Sequence, residues 1–234
     1  MRVMCISAHP DDMELQCAGT LLKCKARGDE VYVCHVNNGS LGHFEIMPDE
    51  LAPMRIQEAK NACEMAGFHH MTCDLGDFES YYQNRDQKNI LVAKIREANP
   101  DFIITMHPDD YMCDHVAASN LVFDAAFMAS VPHYMPEIPA TDKVVPIYYM
   151  ETAYGIGFIP TEYVDITEFF DKKIEMLLCH KSQSEWLAEH DNVDYTEGSR
   201  IISMFRGLQC GVKYAEGFVQ CKAALKMVPQ RLLP

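Results

Sequence analysis

Ten cysteines run through the chain without a single C-x-x-C pair, which argues against a thiolate zinc knuckle and a thioredoxin-like redox motif. Scattered over positions 5, 17, 24, 34, 63, 73, 113, 179, 210 and 221, they read as small buried hydrophobes, free thiols of a reducing compartment. No stretch approaches eighteen uninterrupted apolar residues, and the opening MRVMCISAHPDD lacks the charged, apolar and small-residue zones of a signal peptide. A cytoplasmic protein without a membrane partner is expected. Basic charge is also short: 20 Lys+Arg stand against 34 Asp+Glu, and the net −14 repels phosphate backbones and anionic leaflets, so nucleic acid is not an expected partner. No glycine-rich phosphate loop, low-complexity linker, composition break or internal repeat longer than a tetrapeptide is visible, and residues 1–234 read as one domain.

What is present is a tetrapeptide, His-Pro-Asp-Asp, that occurs twice, at His9 to Asp12 and at His107 to Asp110. Each copy follows a short apolar run. Such runs recur with helical patterns between them, the signature of a mostly parallel sheet covered by helices on both faces. The pattern predicts strands over 3–8, 31–36, 71–73, 101–106, 147–150 and 163–166, with an edge strand over 211–219. Helices are predicted over 14–27 (ended by Gly28), 49–66 (ended by Gly67), 88–97, 116–129, 184–190 and 197–208, and one from an N-cap at Thr167 to about His180.

In open α/β sheets ligands bind beyond the carboxyl ends of the strands, and both tetrapeptides lie there. His9 and Asp12 sit three apart across a turn begun by Pro10, so an imidazole and a carboxylate can approach one ion from the same loop. His115, from the pair Asp114-His115 after the second copy, supplies a third ligand. Two histidines and one carboxylate with an open position form a catalytic zinc set, although another divalent transition metal would fit the same donors. Asp11 is then placed to take the proton of the metal-activated water. The alternative for these carboxylates is ordinary turn and N-cap chemistry for the following helix.

The segments Ser7-Ala8-His9-Pro10-Asp11-Asp12-Met13-Glu14 and Gly19-Thr20-Leu21 resemble the opening motif of the PIG-L/LmbE-like zinc de-N-acetylases. Arg55-Ile56-Gln57-Glu58-Ala59, Asp114-His115, His180-Lys181-Ser182-Gln183 and Tyr214-Ala215-Glu216-Gly217-Phe218 follow in the family's order. The resemblance implies a Rossmann-like, three-layer α/β fold that removes acetyl from N-acetylglucosamine-type substrates, with zinc on His9, Asp12 and His115 and Asp11 as general base. Asp114 joins the catalytic set. Many members carry His-Pro-Asp-His where this chain reads Met112-Cys113-Asp114-His115, and Met112 can neither stabilise an oxyanion nor protonate an amine. His107 or Tyr111 is the expected substitute.

Arg55 is a candidate grip on a substrate oxygen or carboxylate, with a helix-surface ion pair as the plainer reading. Tyr111 and the loop residue His43 are candidates to line the substrate pocket, and the loop 154–158 to act as a sugar-stacking lid. Glu14 is expected to orient the first loop. A metal-dependent hydrolase of another amide or ester, or a catalytically silent sugar-binding relative, are the competing functions. A small-molecule amino-sugar substrate and a homo-oligomeric assembly complete the expectations.

Overall fold

The computed structural model describes residues 1–190, 192 and 194–234. Seven strands form a mostly parallel sheet flanked by helices: β1 (Arg2–Ser7), β2 (Glu30–Asn37), β3 (His69–Leu75), β4 (Phe102–Thr105), β5 (Ile147–Met150), β6 (Glu162–Asp165) and β7 (Ala215–Gln220), in the order β3-β2-β1-β4-β5-β7-β6. β1 to β5 pair in parallel, while β7 runs antiparallel to both β5 and β6. The centre of the sheet is apolar on both faces, so Val3 to Ile6 and Phe102 to Ile104 are entirely buried.

The helices are α1 (Asp12–Gln16), α2 (Ala18–Ala26), α3 (Pro48–Ala66), α4 (Arg85–Ala98), α5 (Cys113–Met128), α6 (Phe170–Leu177), α7 (Lys181–His190) and α8 (Tyr195–Cys210). From β1 the chain builds outward to β2 and β3, then crosses back to lay β4 on β1's other side. The strand order therefore reverses between β1 and β4, and the crevice of a doubly wound sheet opens at their carboxyl ends. His9 leaves the first of these strands; Asp110, Asp114 and His115 follow the second.

Three expectations need correction. The single helix over 14–27 is two helices broken at Cys17, because the Glu216 carboxylate on β7 accepts the N–H groups of Gly19 (3.0 Å) and Thr20 (2.7 Å) and starts α2 afresh. The strand over 211–219 is β7, and it lies inside the sheet; β6 forms the edge. Thr167 opens a short 3-10 turn and does not cap α6; Asp165 Oδ1 accepts both its N–H and its hydroxyl.

Candidate metal centre

His9, Asp12 and His115 converge at the β1/β4 crevice, each offering one donor atom within 4.8 Å of the others. Asp12 could have capped α1, but its Oδ2 instead accepts the backbone N–H of His9 (2.7 Å) and lies 3.5 Å from His9 Nδ1. Its Oδ1 lies 3.3 Å from His115 Nε2. That Nε2 is buried and has no hydrogen-bond partner, the condition of a lone pair awaiting a cation. Burial pushes the His9 pKa down, but hydrogen bonds with Asp114 and Asp12 raise it to about 9. Burial is likewise outweighed at His115, where Asp12 and Asp110 lift the value to about 10. The carboxylates therefore favour a cation at both rings; a metal ion would take the place of a proton on each ligating nitrogen, and the donor set fits a divalent transition metal.

Each imidazole is oriented by a carboxylate on its other side, as metal-binding histidines usually are. Asp110 Oδ2 contacts His115 Nδ1 (3.0 Å) and accepts from Ala153 N, while its Oδ1 accepts from Met112 N. Asp114 Oδ2 lies 3.2 Å from His9 Nε2 and accepts from Phe78 N. Asp77 joins His9 and Asp114 in a second group of metal-competent donors, although its two oxygens already accept from Gly39 N and Leu41 N.

Asp11 is held in a backbone conformation that strongly favours glycine, with φ 110°. Such strain costs on the order of 1–3 kcal/mol and persists only where surroundings enforce it. Its carboxylate does not cap α1. Oδ2 instead accepts from Arg55 Nη2 (2.8 Å) and from the Tyr195 hydroxyl (2.5 Å). Arg55 also donates to Pro10 O and Gly39 O. Burial raises the Asp11 pKa against the opposing Arg55 charge, and burial followed by the Asp11 charge pushes the Tyr195 phenol well above its ordinary value. Tyr195 is thus a proton donor to Asp11, not a competing base.

Arg55, a candidate grip on substrate or a helix-surface ion pair, is buried, lines the cleft and pairs there with Asp11. Tyr111 and Met112 line the cleft, as do Asp11, Asp12 and Asp114. Among the described residues His107 and His43 are not part of its wall. His107 packs edge-on between Tyr149 (5.7 Å) and Phe158 (5.3 Å), with Nδ1 accepting from Asp109 N, so it is not brought to the place that Met112 leaves unserved. His43 rests on Trp186 (4.5 Å). Glu14 pairs with His180 at 3.2 Å, both fully buried, behind the first loop. Sequence reasoning missed Tyr195, Asp77 and Asp110. Tyr195 carried no local motif, whereas Asp110 was visible as the last residue of the second tetrapeptide and its supporting role follows from its spacing to His115.

A doubly wound sheet with two histidines and a carboxylate at its switch point, beside a buried aspartate and an open cleft, defines an α/β protein with a donor cluster able to hold a metal ion. The chain belongs to the GlcNAc-PI de-N-acetylase (PIG-L) family, whose model matches residues 4–126. It is 28% identical over 230 residues to the diacetylchitobiose deacetylase of Thermococcus kodakarensis, covering 92% of this chain and 81% of the relative. It is 25% identical over 242 residues to the 4-oxalmesaconate hydratase of Pseudomonas putida, covering 96% and 88%. The fold is shared with N,N'-diacetylchitobiose deacetylase from Pyrococcus horikoshii, at a TM-score of 0.80 and 24% identity over 94% of this chain and 83% of that one. No helix among the described residues is long and apolar enough to cross a membrane.

Proposed function

We propose that this chain is a zinc-dependent N-deacetylase, acting as one domain on an N-acetylglucosamine-type amino sugar or conjugate in the cytoplasm. The observation that carries the reading is the convergence of His9, Asp12 and His115 with Asp11 beside them; the deacetylase relatives support it. His9, Asp12 and His115 would hold the ion. Bound there, zinc supplies a Lewis acid that polarises the amide carbonyl and brings the pKa of its water to about 7.

Asp11 does the proton transfers. Arg55 and Tyr195 occupy Oδ2, which leaves Oδ1 to accept the proton of the attacking water. The same carboxyl then returns that proton to the nitrogen as the C–N bond breaks, giving acetate and a free amine. Met112 has no proton to give, so one group serves as base and then acid. Asp110 and Asp114 keep the two imidazoles aimed.

Purified protein is expected to contain one zinc per chain and to release acetate from N-acetylglucosamine conjugates, with activity lost to a chelator and restored by zinc. Zinc-loaded protein that releases no acetate from such a panel would sink the reading, and the hydratase relative then names the next reaction to assay. Asp110→Ala should weaken metal binding about 10- to 100-fold by freeing the His115 ring, measured by competition with a metal-sensitive dye. Tyr195→Phe should lower kcat about tenfold with little change in KM, the effect of losing one hydrogen bond to a charged group. An unchanged kcat would remove Tyr195 from the machinery.

A further inference from the structure

The chain leaves β5 into a loop, residues 151–158, whose first half lines the cleft and whose two ends are held by one side chain of α8. That side chain, Arg206, is buried. It engages both oxygens of Glu151, at 2.6 and 2.7 Å, and donates from Nη2 to Phe158 O at 3.2 Å. A planar guanidinium fork can hold a carboxylate bidentately and a carbonyl at once, which a lysine ammonium cannot match. Between these anchors the loop is tightly wound: Tyr154, Gly155 and Gly157 have φ of 56°, 71° and 71°, and the Thr152 hydroxyl donates to Ile156 O at 2.8 Å. Its backbone lies against the ion pair, since a Cβ at Gly155 would stand 3.4 Å from Glu151 Oε1 and 3.5 Å from Arg206 Nη2.

Stability alone is a weak reason for such a pair, because apolar side chains of the same volume often stabilise a fold as well or better. What the clamp fixes is the Ala153 N–H. That group donates to Asp110 Oδ2 at 3.0 Å, the same oxygen that lies 3.0 Å from His115 Nδ1. Asp110 Oδ1 is held separately, by Met112 N. The aim of Oδ2 at the imidazole therefore depends on where the loop presents one backbone N–H, and Arg206 fixes the loop two residues earlier, at Glu151.

We propose that Arg206 is a positioning residue of the metal centre, acting on His115 through Glu151, the Ala153 N–H and Asp110. Its own hydrogen bonds reach none of the three ligands. By holding the loop it confines the His115 ring, and a ligand already confined loses less freedom when the ion binds. The inference rests on the metal site of the deacetylase reading.

Zinc affinity of the full chain, measured by dye competition without substrate, tests the route whatever the protein hydrolyses. Arg206→Lys keeps the charge but loses the fork, and should weaken zinc binding about fivefold, on the scale of one hydrogen bond. Ala153→Pro removes the N–H at the far end of the route. Thr152 before it is extended (φ −71°, ψ 161°) and Ala153 opens a 3-10 turn, so proline fits there. This variant should also cost about fivefold in affinity. The double variant should lose about fivefold in all, and not about twenty-five-fold, because both changes act through one hydrogen bond. A merely structural Arg206 would lower Tm and leave the zinc affinity of the folded protein unchanged. Zinc binding by Arg206→Lys within about twofold of wild type, or losses that multiply in full, overturns the proposal. Should Arg206→Lys fail to fold, Glu151→Gln takes its place, since the amide keeps the volume and one oxygen for the guanidinium, and the same two outcomes decide. Wild type that binds zinc but deacetylates nothing fails the catalytic reading alone; wild type that binds no zinc overturns both.

Discussion

Asp11→Asn is expected to lower kcat by about a hundred- to ten-thousand-fold, the usual contribution of a positioned general base, while bound zinc stays stoichiometric. Asparagine suits the test because it preserves the contacts that hold the strained loop. Its carbonyl oxygen can accept from Arg55 Nη2 and the Tyr195 hydroxyl as Asp11 Oδ2 does, which leaves an NH2 group where the free Oδ1 had been. That group has no lone pair for a proton. Both substitutions remove the counter-charge of the buried Arg55 guanidinium, but Asp11→Ala would also leave Arg55 and Tyr195 without an acceptor, and a fall in rate would then mix chemistry with a larger destabilisation. Acetate release under saturating substrate, read beside metal content and melting temperature, separates the two. Near-wild-type turnover in Asp11→Asn would exclude Asp11 as the base and turn attention to Asp77 and Asp114, the other carboxylates close to His9.

Much of this site was legible in the sequence because its donors lie just after apolar runs. A strand of period-free hydrophobic residues must be buried on both faces, and its last residue must deliver the following loop to the edge of the sheet. That reasoning places His9, Asp12 and His115 on one crevice without coordinates. It does not place Tyr195, because α8 reaches Asp11 across 184 residues and nothing local in Asp194-Tyr195-Thr196 distinguishes that tyrosine from a surface one. The roles of the two tetrapeptides were only half visible. The second is no second ligand set, yet its Asp110 orients His115, so the repeated motif contributes to the site twice by different means. His107 shows the opposite failure: its position in the chain suggested the cleft, while packing between Tyr149 and Phe158 decides where the ring goes.

The break between α1 and α2 has the same non-local origin, and it sets the second large effect. Lys173→Met is expected to destabilise the fold by about 3–5 kcal/mol, the cost of removing one member of a buried ion pair. For a chain of this size that is a fall of roughly 6–20 °C in Tm. Lys173 and Glu216 meet at 2.7 Å with side chains 1% and 2% exposed, so water cannot take over when the ammonium is lost. Lys173 Nζ also donates to Leu15 O at 2.9 Å, and Glu216 starts α2 by accepting from Gly19 N and Thr20 N. One ion pair thus ties α6 and β7 to the segment that begins with Asp12. Adding Glu216→Gln to Lys173→Met should recover part of the loss, because the amide removes the stranded charge yet keeps an oxygen for one of the two N–H groups. Metal affinity should follow stability, since α1 carries Asp12 and follows Asp11 directly. A Tm within about 2 °C of wild type for Lys173→Met would show that the Lys173–Glu216 pair contributes little to holding this junction.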